Sequence, residues 1–119
     1  MAELGLLEKE QIALSATTLT DIHTCATGRA EKVAVFLCNR SGATTLRLAV
    51  AIAGAADSLS QYLYYDTVLP ANDTLQVELT LNSGDVVRAY AGAATVSASV
   101  SVDEKIRPAE KRRMKHAGW

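Results

Sequence analysis

His23 and Cys25 lie two residues apart in "TDIHTCATG", so on an extended strand both side chains point the same way, and Cys38 in "VFLCNR" is a third candidate donor. A structural zinc site takes four such ligands, commonly in close pairs of the Cys-x-x-Cys kind. That pairing is missing, so the three read as two packed thiols and a strand-edge histidine, and no metal is expected. Nucleophilic catalysis needs a base beside a nucleophile and a third group to orient the base. Serine and threonine are plentiful, but the histidines are His23 and His116 alone, and no Gly-x-Ser-x-Gly elbow occurs. Asp57, Asp66, Asp73 and Asp85 fall in or beside turn sequences, where carboxylates accept from nearby backbone N–H groups. There is no GxxxxGK or GxGxxG loop to cradle a phosphate. The expectation is a protein with no catalytic residues and no cofactor, not an enzyme.

Two stretches suit binding better than chemistry. Tyr62, Tyr64 and Tyr65 place three of the chain's six aromatic residues in four positions. Tyrosine buries apolar area while its hydroxyl reaches water, which suits a packed sandwich surface and equally a sugar or peptide groove. Alternation assigns Tyr62 and Tyr64 to one face of a strand and Leu63 and Tyr65 to the other. The stretch "EKIRPAEKRRMKHAGW" carries Arg107, Lys111, Arg112, Arg113 and Lys115 and ends on Trp119. The net charge of -1 divides into -4 on residues 1–102 and +3 on residues 103–119. A basic tail is drawn to acidic surfaces and a terminal Trp fills a neighbour's pocket, although the same composition suits a solvated end. These six residues, with Leu6 and Leu7 near the other terminus, are the candidate partner-binding positions. One basic tail on a slightly acidic body does not make a nucleic-acid interface, and none is expected.

The elements that must position these residues are strands. In "TLRLAVAI", Leu46, Leu48, Val50 and Ile52 alternate with Thr45, Arg47, Ala49 and Ala51, which predicts a dry face and a wet one. "TLQVELTLN" and "TVSASVSVD" alternate in the same way, whereas "EKVAVFLCN" is apolar on both faces, as a central strand covered on both sides would be. Turn signals at "ATGRAE", "NRSGA", "LNSGD" and "AGAA" separate these runs. Eight strands are predicted, near 11–16, 18–25, 31–40, 44–53, 61–67, 73–81, 85–91 and 94–103. The expected fold is all-β: an antiparallel β-sandwich in a single domain over residues 13–103, with an N-terminal arm at 1–12 and a basic C-terminal tail at 104–119. A chain of 119 residues is long enough for one core, and its 49% apolar and 21% charged content is ordinary for a globular protein. No apolar run approaches a bilayer span and the first residues lack the pattern of a signal peptide, so a cytoplasmic protein with free thiols and no membrane partner is expected.

The order "VFLCNRSGATTLRLAVA", then "YLYYDTVLPANDTLQVELTLNSGDVVRAYA", then an alternating last strand resembles a group of small virion-associated proteins of tailed bacteriophages, over about residues 20–102. The matching positions are Cys38, Asn39 and Arg40 before a turn, Tyr64, Tyr65 and Asp66 leading to Pro70, Ala71 and Asn72, and Gly84 and Asp85 before Val87, Arg88, Tyr90 and Ala91. The resemblance implies a β-sandwich attached to the phage particle as a head decoration, a neck or collar component, or a tail accessory. Such a protein is assembled in the host cytoplasm and binds other phage structural proteins of the capsid, neck or tail, and itself as a homo-oligomer. Where similar sequences often have a Val-Pro-Ala-Gly hairpin this chain has "CATGR", which places Cys25 in the hairpin, open to a disulfide with another subunit. The charged tail lies beyond the matched region. The alternative is a carbohydrate- or receptor-binding surface module that uses the Tyr62 to Tyr65 region.

Overall fold

The structure, a computed structural model, describes residues 9–106. Its strands are β1 (Lys9–Ala13), β2 (Thr20–Thr24), β3 (Ala30–Asn39), β4 (Thr44–Ala51), β5 (Tyr62–Leu69), β6 (Thr74–Leu81), β7 (Val86–Ala91) and β8 (Val96–Ile106). They pair antiparallel into two four-stranded sheets, ordered β1-β8-β3-β6 and β2-β7-β4-β5. That order is an eight-stranded jelly roll. The sheets take in residues 9–12 of the N-terminal arm and 104–106 of the C-terminal tail.

Only β4 and β5 are both consecutive and paired; every other connection between described strands carries the chain from one sheet to the other. The "CATGR" segment is therefore a corner between sheets and not a hairpin. It is tied to the turn before β7, since Cys25 N donates to Asp85 O at 2.8 Å and Gly84 N to Cys25 O at 3.0 Å. The Cys25 side chain is buried there, out of reach of another subunit.

Between the sheets lies one apolar core. Val33, Val35 and Leu37 of β3 and Val96, Ala98, Val100 and Val102 of β8 meet Leu46 and Leu48 of β4 and Val87 and Ala89 of β7. The alternation predicted for "TLQVELTLN" and "TVSASVSVD" holds in β6 and β8. β3 is an interior strand as expected, but its second apolar face, with Phe36 and Cys38 half-buried, has no layer over it among the described residues. β4 departs from its pattern at its end. Ile52, expected on the dry face, is 73% exposed because the strand stops at Ala51 and the chain enters two 3-10 turns, Ile52–Gly54 and Leu59–Gln61. Ala49 and Ala51, expected on the wet face, are fully buried. The segment 52–61 folds back across that face: Arg88, which pairs with Ala49, donates from Nη1 to Ala55 O at 2.9 Å, and Ala53 N donates to Asp85 Oδ1 at 2.9 Å.

Candidate functional site

The tyrosine cluster is positioned by irregularities in β5. Leu46 pairs with Thr67 and Leu48 with Tyr64, so β5 gains a residue on β4, and Asp66 adopts a left-handed φ of 52°. This is a β-bulge, which re-aims side chains and increases the local twist. A second slip follows between the pairs of Leu48 with Tyr64 and Ala49 with Tyr62. Strict alternation fails as a result: Tyr62 and Tyr65 meet edge to face with ring centroids 5.1 Å apart, while Tyr64 packs against the core. The Arg47 guanidinium lies 4.2 Å from the Tyr65 ring centre and 4.4 Å from that of Tyr90. Its Nε donates to Asp66 Oδ1 at 2.6 Å and its Nη2 to Oδ2 at 3.3 Å, a forked contact that fixes the plane between the rings. Tyr62 donates its hydroxyl to Asp57 at 2.9 Å. Burial, with Asp57 behind it, pushes the Tyr62 phenol up. Arg47 covers one face of the Tyr65 ring, which is still 49% exposed, and the cluster fastens a bulged edge strand to its sheet.

His23 is placed by a second bulge. Asp21 pairs with Arg88 but His23 with Val87, so two residues that alternation would put on one face are separated. Asp21 stays outside and accepts from Arg88 Nε at 2.9 Å; His23 turns inward and is 5% exposed. Its Nδ1 lies 2.5 Å from Glu10 Oε1 of β1 and its Nε2 2.7 Å from Glu31 Oε1 of β3, joining the two sheets. Burial by itself lowers a histidine's pKa. Here the hydrogen bonds and charges of Glu31 and Glu10 outweigh it, and the His23 pKa stands above its ordinary value. Glu31 is 1% exposed, so an imidazolium held by two carboxylates is the state that satisfies every group. Cys25 lies against the same cluster; burial first, and then the charge of Glu31, pushes its thiol up to about 11. A thiol so protonated is inert as a nucleophile at neutral pH. Cys38 stands at the opposite end of β3 and on its outer side, so the structure does not bring it to His23 and Cys25.

The remaining buried polar side chains are locks. Asn39, fully buried, donates from Nδ2 to Gly42 O (2.9 Å), Leu69 O (3.1 Å) and Pro70 O (3.2 Å), while its Oδ1 accepts from Ser41 N (3.2 Å) and Thr95 Oγ1 (2.8 Å). Three loops at one end of the sandwich are knotted by that one amide. Asp85 does the same at the other end, accepting from Ala53 N and from Asn82 N at 2.8 Å. Both residues belong to the motifs that carry the phage resemblance.

Sequence reasoning missed Glu10, Glu31 and Arg47 as members of clusters. Glu31 and Asn39 did leave a signal: both share the parity of Val33, Val35 and Leu37, a carboxylate and an amide on a dry face. Arg107, Lys111, Arg112, Arg113, Lys115 and Trp119, and likewise Leu6 and Leu7, lie outside the described residues. No protein-family model matches the chain, and no curated protein is similar to it.

Proposed function

We propose that the chain is a non-enzymatic structural component of a tailed-phage virion, which binds a major protein of the head, neck or tail and also itself. One observation carries the reading. The buried polar side chains His23, Glu31, Asn39 and Asp85 are each engaged by other groups of the fold, whereas apolar side chains stand exposed on the edge strand β5, with Leu63 at 51% and Val68 at 63%. Such a body is a rigid scaffold with surface to offer. The jelly roll is compatible, since viral coat proteins use it, but lectins use it too, and fold alone does not assign a task. The carbohydrate alternative draws less support because Tyr62 and Tyr64 are half-buried and Arg47 covers one face of Tyr65, which leaves Tyr65, 49% exposed, as the one open ring of the three.

The chain is expected in purified particles, at a repeated position visible by electron microscopy of the whole virion. Deleting residues 107–119 should leave a folded jelly roll, because β8 ends at Ile106, and should reduce incorporation. Unchanged incorporation of the shortened chain removes the tail from the reading; absence of the full chain from particles removes the reading itself.

A further inference from the structure

We propose that β6 pairs, edge to edge and antiparallel, with β6 of a second copy, about a two-fold axis at Val77. β6 is an outer strand of its sheet, pairs with β3 over its whole length without a bulge, and contains neither Lys nor Pro. Long, flat edges of this kind are normally blunted by charge, proline or a bulge, because their free N–H and C=O groups recruit another strand. β5, the other edge on this side of the sandwich, is bulged; β6 has no bulge, its one charge is Glu78, and among the described residues no strand pairs with its outer side.

The occupant is indicated by the strand itself. "TLQVELT", residues 74–80, reads almost the same in both directions about Val77, the one difference being Gln76 against the isosteric Glu78. A two-fold axis at Val77 sets Leu75 against the partner's Leu79 and Thr74 against its Thr80. Gln76 then faces the partner's Glu78, so an amide meets a carboxylate at two symmetric places. Moving the axis to Glu78 would place that carboxylate directly against its own copy, which is unfavourable. A self-complementary patch is what an isologous dimer requires.

The backbone agrees with this register. Asn39 N donates to Asp73 O at 2.9 Å, so odd-numbered residues of β6 aim their peptide groups at β3 and even-numbered ones aim theirs at the free edge. With the axis at Val77 the residues that meet as hydrogen-bonded pairs are all even-numbered, giving about eight new ladder bonds. Leu75, Val77 and Leu79, half-buried in one copy, become interior side chains of a continuous sheet made by two copies.

This deepens the virion reading by naming the surface for self-association, and its test is separate. Gln76 and Glu78 are exposed, so changing Gln76 leaves the fold intact, which circular dichroism checks. Sedimentation equilibrium of the full chain should show a dimer. Gln76→Glu places two like-charge pairs across the axis and should weaken it roughly 2- to 30-fold, while Gln76→Lys forms two opposite-charge pairs and should tighten it by a similar factor, both effects shrinking with added salt. A monomer at millimolar concentration overturns the proposal, as does a dimer that neither change moves. Loss of the dimer on deleting residues 107–119, with both changes at position 76 silent, also overturns it and gives the edge to the tail. Particle incorporation of the same variants reads the virion proposal independently.

Discussion

Replacing His23 by Leu should cost this protein far more than removing the other half of its visible ion pair. Glu31 is 1% exposed and its Oε1 lies 2.7 Å from His23 Nε2, so the change leaves a buried carboxylate without its counter-ion. Breaking a buried pair in this way costs about 3–5 kcal/mol. Glu10→Gln instead leaves His23 paired with Glu31 and alters a side chain that is 52% exposed, so less than about 1 kcal/mol is expected after solvent screening. Urea unfolding followed by circular dichroism separates the two. With a slope near 1.5 kcal/mol per molar urea, His23→Leu lowers the midpoint by about 2–3 M, and Glu10→Gln by well under 1 M. The double change His23→Leu with Glu31→Met should recover most of the loss, because it removes both charges and keeps apolar volume. The pH dependence has a fixed sign. The folded His23 pKa lies above the unfolded value near 6.5, so its contribution is complete below 6.5 and is lost as pH rises through the folded pKa. Wild type should therefore lose stability towards alkaline pH relative to the double variant. Equal costs for His23→Leu and Glu10→Gln, or a double variant no better than His23→Leu, would refute the description of Glu31 as a buried charge held by His23.

Other consequences are open to measurement. Asn39→Ala leaves the Leu69 carbonyl and the Thr95 hydroxyl without the partner that joins three loops, and thermal or urea unfolding should show a loss of about 2–4 kcal/mol. Tyr64→Ala removes a half-buried ring from the core boundary and should cost about 2–3 kcal/mol, whereas a negligible cost would return the tyrosines to the status of a free surface. In the native protein at pH 8 a thiol reagent should modify Cys38 and spare Cys25, whose pKa is about 11; Cys38→Ser should then abolish the fast phase, and both thiols should react in urea. β1 has every side chain exposed and is held to β8 by its ladder and to β2 by the Glu10–His23 contact. Amide exchange at residues 9–13 should accelerate as pH rises through the His23 pKa, beyond the ordinary base-catalysed increase measured on the Glu10→Gln variant.

Alternating side chains made the strands themselves legible: eight runs were readable in the sequence, and eight strands form close to those positions. Alternation is a property of one strand and the face it turns to the core, so β8 could be read from "TVSASVSVD" without knowing its neighbours. The inner face of β6 followed in the same way, and so did the interior place of β3. What a strand pairs with is decided by contacts distant in sequence, and local pattern is silent about it. "CATGR" has the composition of a hairpin loop, yet β2 and β3 lie in different sheets, because the jelly roll pairs β2 with β7 and β3 with β6 and β8. The same holds for side chains beside bulges. A single extra residue turned His23 inward while Asp21 stayed out, and two slips in β5 placed Tyr65 beside Tyr62 rather than Leu63. Local pattern was enough to say which residues could be dry and where the chain could turn; which dry faces met depended on contacts between distant strands, and these brought Glu10, His23 and Glu31, spread over three strands and both sheets, within hydrogen-bonding distance.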